Sequence, residues 1–279
     1  MATEIKIDAL LPSGMARKAE YIGISKSEMS FLDTLLLAVV AGGFIGLGAV
    51  FATTVAAGQA GEVPFGITKL LVGLVFSLGL ILVVVAGAEL FTGNNLIMMA
   101  WASRKVSTLC LLRNWGIVYL GNFLGSIGTV ALMFYSRQYR FGGGIIGATA
   151  LSIANGKVNL EFTQAIFLGI LCNMLVCLAV WLTFSARSTT DKILAVIFPI
   201  TAFVAAGFEH SVANMFFVPM GIFIKTLDPA FAAASGLDLS NLTWNAFLLH
   251  NLIPVTIGNI IGGSILVAGV YWMIYLRGE

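Results

Sequence analysis

The chain has 279 residues, of which 59% are hydrophobic and only 10% charged, and its formal net charge is +2. Soluble globular domains are roughly 45 to 50% apolar and about 25% charged, so this composition excludes a soluble protein. It predicts an integral membrane protein, and the small net charge gives no reason to expect a nucleic-acid partner.

Residues 1–30 precede the first long apolar segment and lack the basic start and short apolar core of a cleavable signal peptide. Apolar residues recur there at helical spacing with charged residues between them: Leu10, Leu11, Met15, Ala19 and Ile22 around Arg17, Lys18 and Glu20. This pattern predicts an amphipathic N-terminal helix at the cytoplasmic interface of the membrane. Residues 31–279 then form the membrane domain.

Six segments of the membrane domain reach the ~20 apolar residues that a helix needs to cross a bilayer. They cover residues 31–56, 70–100, 115–135, 162–184, 193–224 and 247–275. Continuous apolar runs of this length favour helices over the alternating strands of a membrane barrel. The sequence therefore predicts an all-α protein with six transmembrane helices.

The basic residues are unevenly distributed between the two sides of these spans. Ten of the fifteen lie on the side of the termini: Lys6, Arg17, Lys18, Lys26, Arg104, Lys105, Arg113, Arg187, Lys192 and Arg277. Cytoplasmic segments carry the excess of lysine and arginine in membrane proteins. Both termini are therefore predicted to be cytoplasmic.

The second and fifth spans each contain a polar interruption, at residues 87–95 and 207–214. Ionisable groups at membrane depth are costly and usually face the bundle interior or a watery cavity. We expect helix breaks at Gly93–Asn95 and at Gly207 with residues 209–211. The half-helices that follow would be N-capped by Thr92 or Asn94 in one span and by Ser211 in the other.

The third and sixth spans repeat a motif, because residues 121–126 (GNFLGS) match residues 258–263 (GNIIGG). With three spans in each half, the second copy enters the membrane from the opposite side. This arrangement predicts a 3+3 inverted repeat with halves 31–136 and 162–275. Small residues four positions apart also favour close helix packing.

The inverted repeat would point two half-helix N-termini at one region near the bilayer midplane, where their N–H groups favour an anion. Glu89 and Glu209 occupy equivalent positions and are expected to accept backbone N–H groups freed by the breaks. His210 lies in the second break, and its ordinary pKa near 6.5 would let it give a proton to a weak-acid anion. Neutralising such an anion avoids the cost of a bare charge in an apolar passage.

No metal site or cofactor is expected. Cys110, Cys172 and Cys177 form no Cys-x-x-Cys pair, and the two histidines, His210 and His250, lie on different spans. Haem ligation by two histidines and a membrane oxidoreductase are therefore poorly supported.

Several stretches resemble the formate/nitrite transporter family, in particular its formate-channel branch, over nearly the whole chain. They are residues 64–66 (PFG), 89–93 (ELFTG), 114–115 (NW), 119–122, 168–181, 207–216 and 251–263 (NLIPVTIGNIIGG). The resemblance implies an aquaporin-like bundle, assembled as a homopentamer within membrane lipid, with one pore in each protomer. It also implies a formate channel of the bacterial cytoplasmic membrane rather than an enzyme.

The family's functional residues can be carried over to this chain position by position. The central substrate and proton site falls on His210 with Thr92. Apolar pore constrictions fall on Phe76, Leu80, Leu90, Phe91 and Phe203. Residues that line or brace the vestibules and breaks fall on Lys157, Asn173, Glu209, Asn259 and Glu89.

Two alternative functions remain open at this stage. Gly93, Asn94 and Asn95 follow Thr92, where the formate channels compared carry serine and threonine, and Thr-Gly occurs in nitrite-like members. A nitrite or hydrosulfide channel on the same scaffold is therefore an alternative. An aquaporin-type pore for neutral solutes is a remote one, because the chain contains no Asn-Pro-Ala motif.

Overall fold

The computed structural model describes residues 9–59 and 61–278, so the prediction for the first eight residues lies outside the described part of the chain. Within that part the chain is helical and contains no β-strand. The helices are α1 Pro12–Glu28, α2 Phe31–Ala56, α3 Phe65–Ala86, α4 Met98–Ala102, α5 Thr108–Tyr135, α6 Ile145–Val158, α7 Phe162–Ser185, α8 Thr189–Ala205, α9 Ser211–Leu227, α10 Pro229–Ala234 and α11 Trp244–Tyr275.

Five helices in the described residues are long and apolar enough to cross a membrane: α2, α3, α5, α7 and α11. The predicted fifth span is divided between α8 and α9, which have 17 residues each. Helix α11 is continuous over 32 residues but contains two π-helical stretches, Phe247–Leu252 and Ile261–Gly269.

The long helices pack in two similar groups, α2 against α3 and α5, and α7 against α8 and α11, with α3 and α8 in contact between the groups. Glycines permit the closest crossings. A methyl group added to Gly125 would lie 1.9 Å from the carbonyl oxygen of Val39, and one added to Gly262 would lie 2.2 Å from that of Ile170. Such distances are impossible for a real side chain, so the repeated glycines allow the backbones to touch.

Helix α6 lies between the predicted spans 115–135 and 162–184. Lys157 is in the last turn of this helix, which begins after a turn at Gly142–Gly144 and packs against α9. Fourteen residues are too few to cross a bilayer, and the glycine-rich start conceals the helix in the sequence.

The N-terminal helix α1 packs against α4, α7 and the 3-10 turn Gly93–Ile97. Lys18 Nζ donates to the carbonyl oxygen of Phe184 at 2.8 Å, and Lys105 Nζ pairs with Glu20 Oε2 at 2.5 Å. The described part of the N-terminal segment is therefore tied to the bundle by polar contacts as well as by its buried apolar face.

Candidate functional site

Two helix breaks at equivalent places form the centre of the molecule. Helix α3 ends at Gly87 with φ of 82°, and α8 is followed by Gly207 with φ of 75°. Side chains other than glycine rarely adopt these positive angles, which explains where each helix stops. The predicted break at Gly93–Asn95 is wrong, because these residues already form the following 3-10 turn.

Asparagine side chains brace both breaks in the same way. Asn122 Oδ1 accepts the N–H of Phe91 at 2.9 Å, while its Nδ2 donates to the carbonyl oxygen of Glu89 at 2.9 Å. In the other half, Asn259 Oδ1 accepts the N–H of Ser211 at 2.9 Å, and its Nδ2 donates to the carbonyl oxygen of Glu209 at 3.0 Å. Each amide therefore satisfies one donor and one acceptor that the break has freed.

The glutamates do not have the role predicted for them, because their carboxylates bind side chains rather than backbone N–H groups. Glu89 Oε1 accepts Lys26 Nζ at 2.5 Å, and Oε2 accepts Asn94 Nδ2 at 2.6 Å. A carboxylate buried at this depth needs a charged partner as well as hydrogen bonds, and a lysine supplies both.

The second break repeats this cluster. Glu209 Oε1 accepts Lys157 Nζ at 2.7 Å, and Oε2 accepts Asn214 Nδ2 at 2.7 Å. Outer asparagines complete each cluster: Asn94 Nδ2 also donates to Asn114 Oδ1 at 3.0 Å, and Asn214 Nδ2 to Asn251 Oδ1 at 2.7 Å.

Sequence reasoning missed five residues of these clusters and braces, Lys26, Asn114, Asn122, Asn214 and Asn251, and it gave Asn94 the role of an N-cap, whereas its side chain binds Glu89 and Asn114. A signal for two of them was present, because Asn114 precedes Asn122 by the same eight residues that separate Asn251 from Asn259. Nothing in the sequence marked Lys26, which reaches the first break from α1, 63 positions before Glu89.

Thr92 and His210 meet where the two breaks approach each other. Thr92 Oγ1 lies 2.9 Å from His210 Nε2, and both residues are buried. His210 Nδ1 accepts the N–H of Ala213 at 3.0 Å. His210 is therefore the N-cap of α9, and the predicted cap Ser211 is the first helical residue instead.

The cap bond determines which imidazole nitrogen carries the proton. Because Nδ1 accepts a backbone N–H, a neutral His210 must carry its proton on Nε2 and donate it to Thr92 Oγ1. The threonine hydroxyl then has its own proton left to donate to a further acceptor.

Two cavities of similar size flank this pair. One, of about 320 Å³, lies beside α1 and is lined by Leu80, Leu90 and Glu89. The other, of about 300 Å³, lies beside α6 and its lining residues include Phe76, Phe203, Lys157, Glu209 and His210. The His210 ring stacks on Phe203 with 5.9 Å between ring centroids.

Four of the residues carried over from the family do not line either cavity: Thr92, Phe91, Asn173 and Asn259. Phe91 packs its ring against Trp115 and Tyr119 beside a groove between α5 and α11. Asn173 and Asn259 are fully buried and bind backbone carbonyl groups. The structure thus brings two predicted constriction residues to each cavity and leaves Phe91 apart from them.

Comparison with known proteins is consistent with this geometry. The formate/nitrite transporter family profile matches residues 13–273. The chain is 47% identical to the formate channel FocA of Escherichia coli (strain K12), over 99% of this chain and 98% of the relative. It is 42% identical to FocA of Haemophilus influenzae, over 94% and 93%.

A solved pentameric formate channel with formate bound superposes with a TM-score of 0.82 at 50% identity, covering 88% of this chain and 98% of the other. The family match extends over nearly the whole chain and includes both breaks, Thr92 and His210. This chain belongs to the formate/nitrite transporter family.

Proposed function

We propose that this protein is a formate channel in which each protomer conducts the anion past the Thr92–His210 pair. The observation that carries the proposal is this hydrogen-bonded pair, buried between two cavities where two helix breaks meet. The similarity to formate channels over almost the full chain supports the choice of substrate.

The architecture we propose has six spans in a 3+3 inverted repeat, with α8 and α9 together forming the fifth. Repeat halves 31–136 and 162–275 would be preceded by a cytoplasmic N-terminal segment, residues 1–30. The matching contacts of Asn122 and Asn259 support the repeat. The protein would form a homopentamer in the bacterial cytoplasmic membrane with both termini inside, and would not be an enzyme.

Passage of formate requires its hydration shell to be replaced, because an isolated charge in a dry passage is very costly. Lys26 and Lys157 place positive charge at the two cavities, where each is paired with a buried glutamate. Leu80 and Leu90 on one side, and Phe76 and Phe203 on the other, would exclude water and hydrated ions. These aliphatic and aromatic surfaces suit a small weak acid better than a fully hydrated ion.

At the centre, the Thr92 hydroxyl would donate a hydrogen bond to a formate oxygen. His210 Nε2–H would at the same time donate a hydrogen bond to the threonine oxygen. Substrate neutralisation by His210 itself would require the imidazolium, protonated on both nitrogens, which would give its Nε2 proton to formate and return to the neutral ring with the proton on Nδ1. The N-cap bond to Nδ1 favours the hydrogen-bonding role, because protonation of Nδ1 would break that bond. Flux would run in either direction and would depend on pH, since protons convert formate to the neutral acid.

Flux measurements in proteoliposomes test this function. Formate, nitrite, hydrosulfide, chloride and glycerol are compared across pH for the wild type, Thr92→Val and Thr92→Ser. We expect formate to be favoured, Thr92→Val to lower its flux at least about tenfold, and Thr92→Ser to stay near the wild type because it keeps the hydroxyl.

If the wild type conducts nitrite or hydrosulfide in preference to formate, the substrate is the alternative suggested by Gly93–Asn95. Equal formate flux in the wild type and Thr92→Val would reject the central site. Rapid glycerol flux would indicate a neutral-solute pore.

A further inference from the structure

A buried amide cluster contacts the backbone of Phe91 and Thr92. Asn95 is fully buried, and its Nδ2 donates to the carbonyl oxygen of Phe91 at 2.9 Å. Its Oδ1 accepts from Asn173 Nδ2 at 3.3 Å and from Ser264 Oγ at 3.3 Å. All its contacts are with buried groups, so water is not needed to satisfy this side chain.

The same cluster holds the main chain of Thr92. Asn173 Nδ2 donates to the carbonyl oxygen of Thr92 at 3.3 Å, and Cys177 Sγ contacts the same oxygen at 3.3 Å. Asn173 Nδ2 also donates to the carbonyl oxygen of Asn259 at 2.7 Å, so its second hydrogen is shared between the Thr92 carbonyl oxygen and Asn95 Oδ1. Because carbonyl oxygens only accept, the amide nitrogens of Asn95 and Asn173 must face them, which fixes both side-chain orientations.

Helix α11 has a glycine, Gly263, where it packs against this cluster. A methyl group added to Gly263 would lie 2.4 Å from Asn173 Nδ2, 2.8 Å from Cys177 Sγ and 2.9 Å from Asn95 Cβ. At the position that the proposed repeat pairs with Gly263, α5 carries Ser126, whose Oγ donates to the carbonyl oxygen of Gly42 at 3.3 Å. A glycine is therefore needed at position 263 because of the cluster, since the equivalent position in the other half of the proposed repeat accommodates a serine.

The cluster is specific to the first break. Pairing Glu89 with Glu209 pairs Asn95 with Met215, a buried apolar residue. The second break instead holds its functional side chain by a local bond, since His210 caps its own helix. Thr92 makes no such cap bond, so its position depends on groups from other helices.

We propose that Asn95 is a positioning residue that, together with Asn173 and Ser264, holds the Thr92 hydroxyl against His210 and so determines formate selectivity. Asn95 does not touch the substrate. It holds the carbonyl group of Phe91 directly and that of Thr92 through Asn173, and thereby sets the direction of the threonine side chain. The inference rests on the proposed role of Thr92 in formate passage.

A double-mutant cycle tests the coupling, because residues acting through each other give non-additive effects. Asn95→Leu, Thr92→Val and the double variant are reconstituted as purified pentamers, and the formate-to-chloride flux ratio is measured across pH. We expect Asn95→Leu to lower the ratio about three- to tenfold and to alter the pH profile of formate flux. In the Thr92→Val background, Asn95→Leu should change neither the formate-to-chloride ratio nor the pH profile.

A merely structural role would give a different result. Fewer active channels would reduce formate and chloride fluxes in proportion at every pH, in both backgrounds, and that outcome would overturn the inference while leaving the central site intact. If Thr92→Val itself conducts formate like the wild type, the proposed site fails and the inference fails with it. Failure of the central site is therefore detected with Thr92→Val, and failure of the Asn95 inference alone is detected with Asn95→Leu.

Ser264→Ala provides a milder variant if Asn95→Leu does not assemble, with Ser126→Ala as its matched control. Both serines are buried and each donates to an oxygen on another element, but only Ser264 contacts Asn95. We expect Ser264→Ala to lower the formate-to-chloride ratio about twofold and Ser126→Ala to leave it unchanged. Equal ratios in the two variants would contradict the proposal.

Discussion

His210 uses its two ring nitrogens for two different tasks. Nδ1 accepts the N–H of Ala213 and caps α9, while Nε2 faces Thr92 Oγ1. Histidine is not among the preferred N-cap residues, and sequence reasoning therefore placed the cap on Ser211. The same ring connects the local stability of a half-helix to the chemistry of the passage, so substitutions at His210 combine two effects.

Substitution of His210 can separate these effects. An asparagine at this position can cap α9 but cannot reach Thr92 as the imidazole does, whereas leucine can do neither. We expect His210→Asn to unfold near the wild-type temperature and His210→Leu to lose about 1 kcal/mol, the usual value of an N-cap. Thermal unfolding of the detergent-solubilised protein measures the difference, and equal losses in the two variants would contradict the capping role.

At the scale of elements, a break in each of the two spans could be predicted, but the exact position of the first break and the groups that stabilise both could not. The polar interruptions at residues 87–95 and 207–214 indicated that both spans are broken, because polar residues are conspicuous in apolar spans. The bracing side chain of Asn122 comes from α5 and contacts a backbone 33 positions earlier. A contact of that kind depends on how helices cross, which hydrophobicity alone does not determine.

Helix crossing gives a direct prediction for α5, where two glycines have different surroundings. A methyl group on Gly125 would collide with the backbone of α2, whereas nothing lies within 4 Å of a methyl group on Gly128. We expect Gly125→Ala to separate α2 from α5 and reduce the yield of assembled protein severely. Gly128→Ala should assemble like the wild type, and size-exclusion chromatography compares the two; matching profiles would contradict the close crossing.

The connector between α5 and α6 is joined to the end of α9 by a charged cluster. Tyr139 hydroxyl donates to Asp228 Oδ2 at 2.7 Å, and Arg140 pairs with the same oxygen. The tyrosine hydrogen bond, followed by the arginine, lowers the pKa of Asp228 below its ordinary value of 3.8. A depressed pKa stabilises the fold above the unfolded value, and this contribution is lost as pH falls through the folded pKa.

The pH dependence of Asp228→Asn should follow that sign. We expect the variant to be less stable than the wild type by a constant amount between pH 5 and 8, with the difference shrinking below about pH 4. Thermal unfolding across pH measures it, with Arg137→Gln in the same connector as the control. A difference that grows at low pH would contradict the assigned direction.

At the scale of the whole molecule, the proposed passage with a dry centre rests on the two cavities and the buried Thr92–His210 pair. Leu90 is 2% exposed and Phe203 is 3% exposed, on opposite cavities. The sequence predicted the apolar spans, but only the family resemblance selected these two residues from so many others. Their proposed function is exclusion of hydrated ions, which depends on side-chain size at one point of the path.

Leu90→Ala should therefore admit chloride and other hydrated anions that the wild type excludes. Leu111 is a matched control, because it is also a buried leucine, 4% exposed, and lies in a separate cluster with Ile97 and Val106. Both substitutions should cost roughly 2 to 5 kcal/mol of stability, since each truncates a buried leucine to alanine and leaves a cavity. Only Leu90→Ala should lower the formate-to-chloride flux ratio in pentamers purified intact, because only it widens the passage. If Leu111→Ala lowers the ratio equally, selectivity depends on general packing and the dry constriction lies elsewhere.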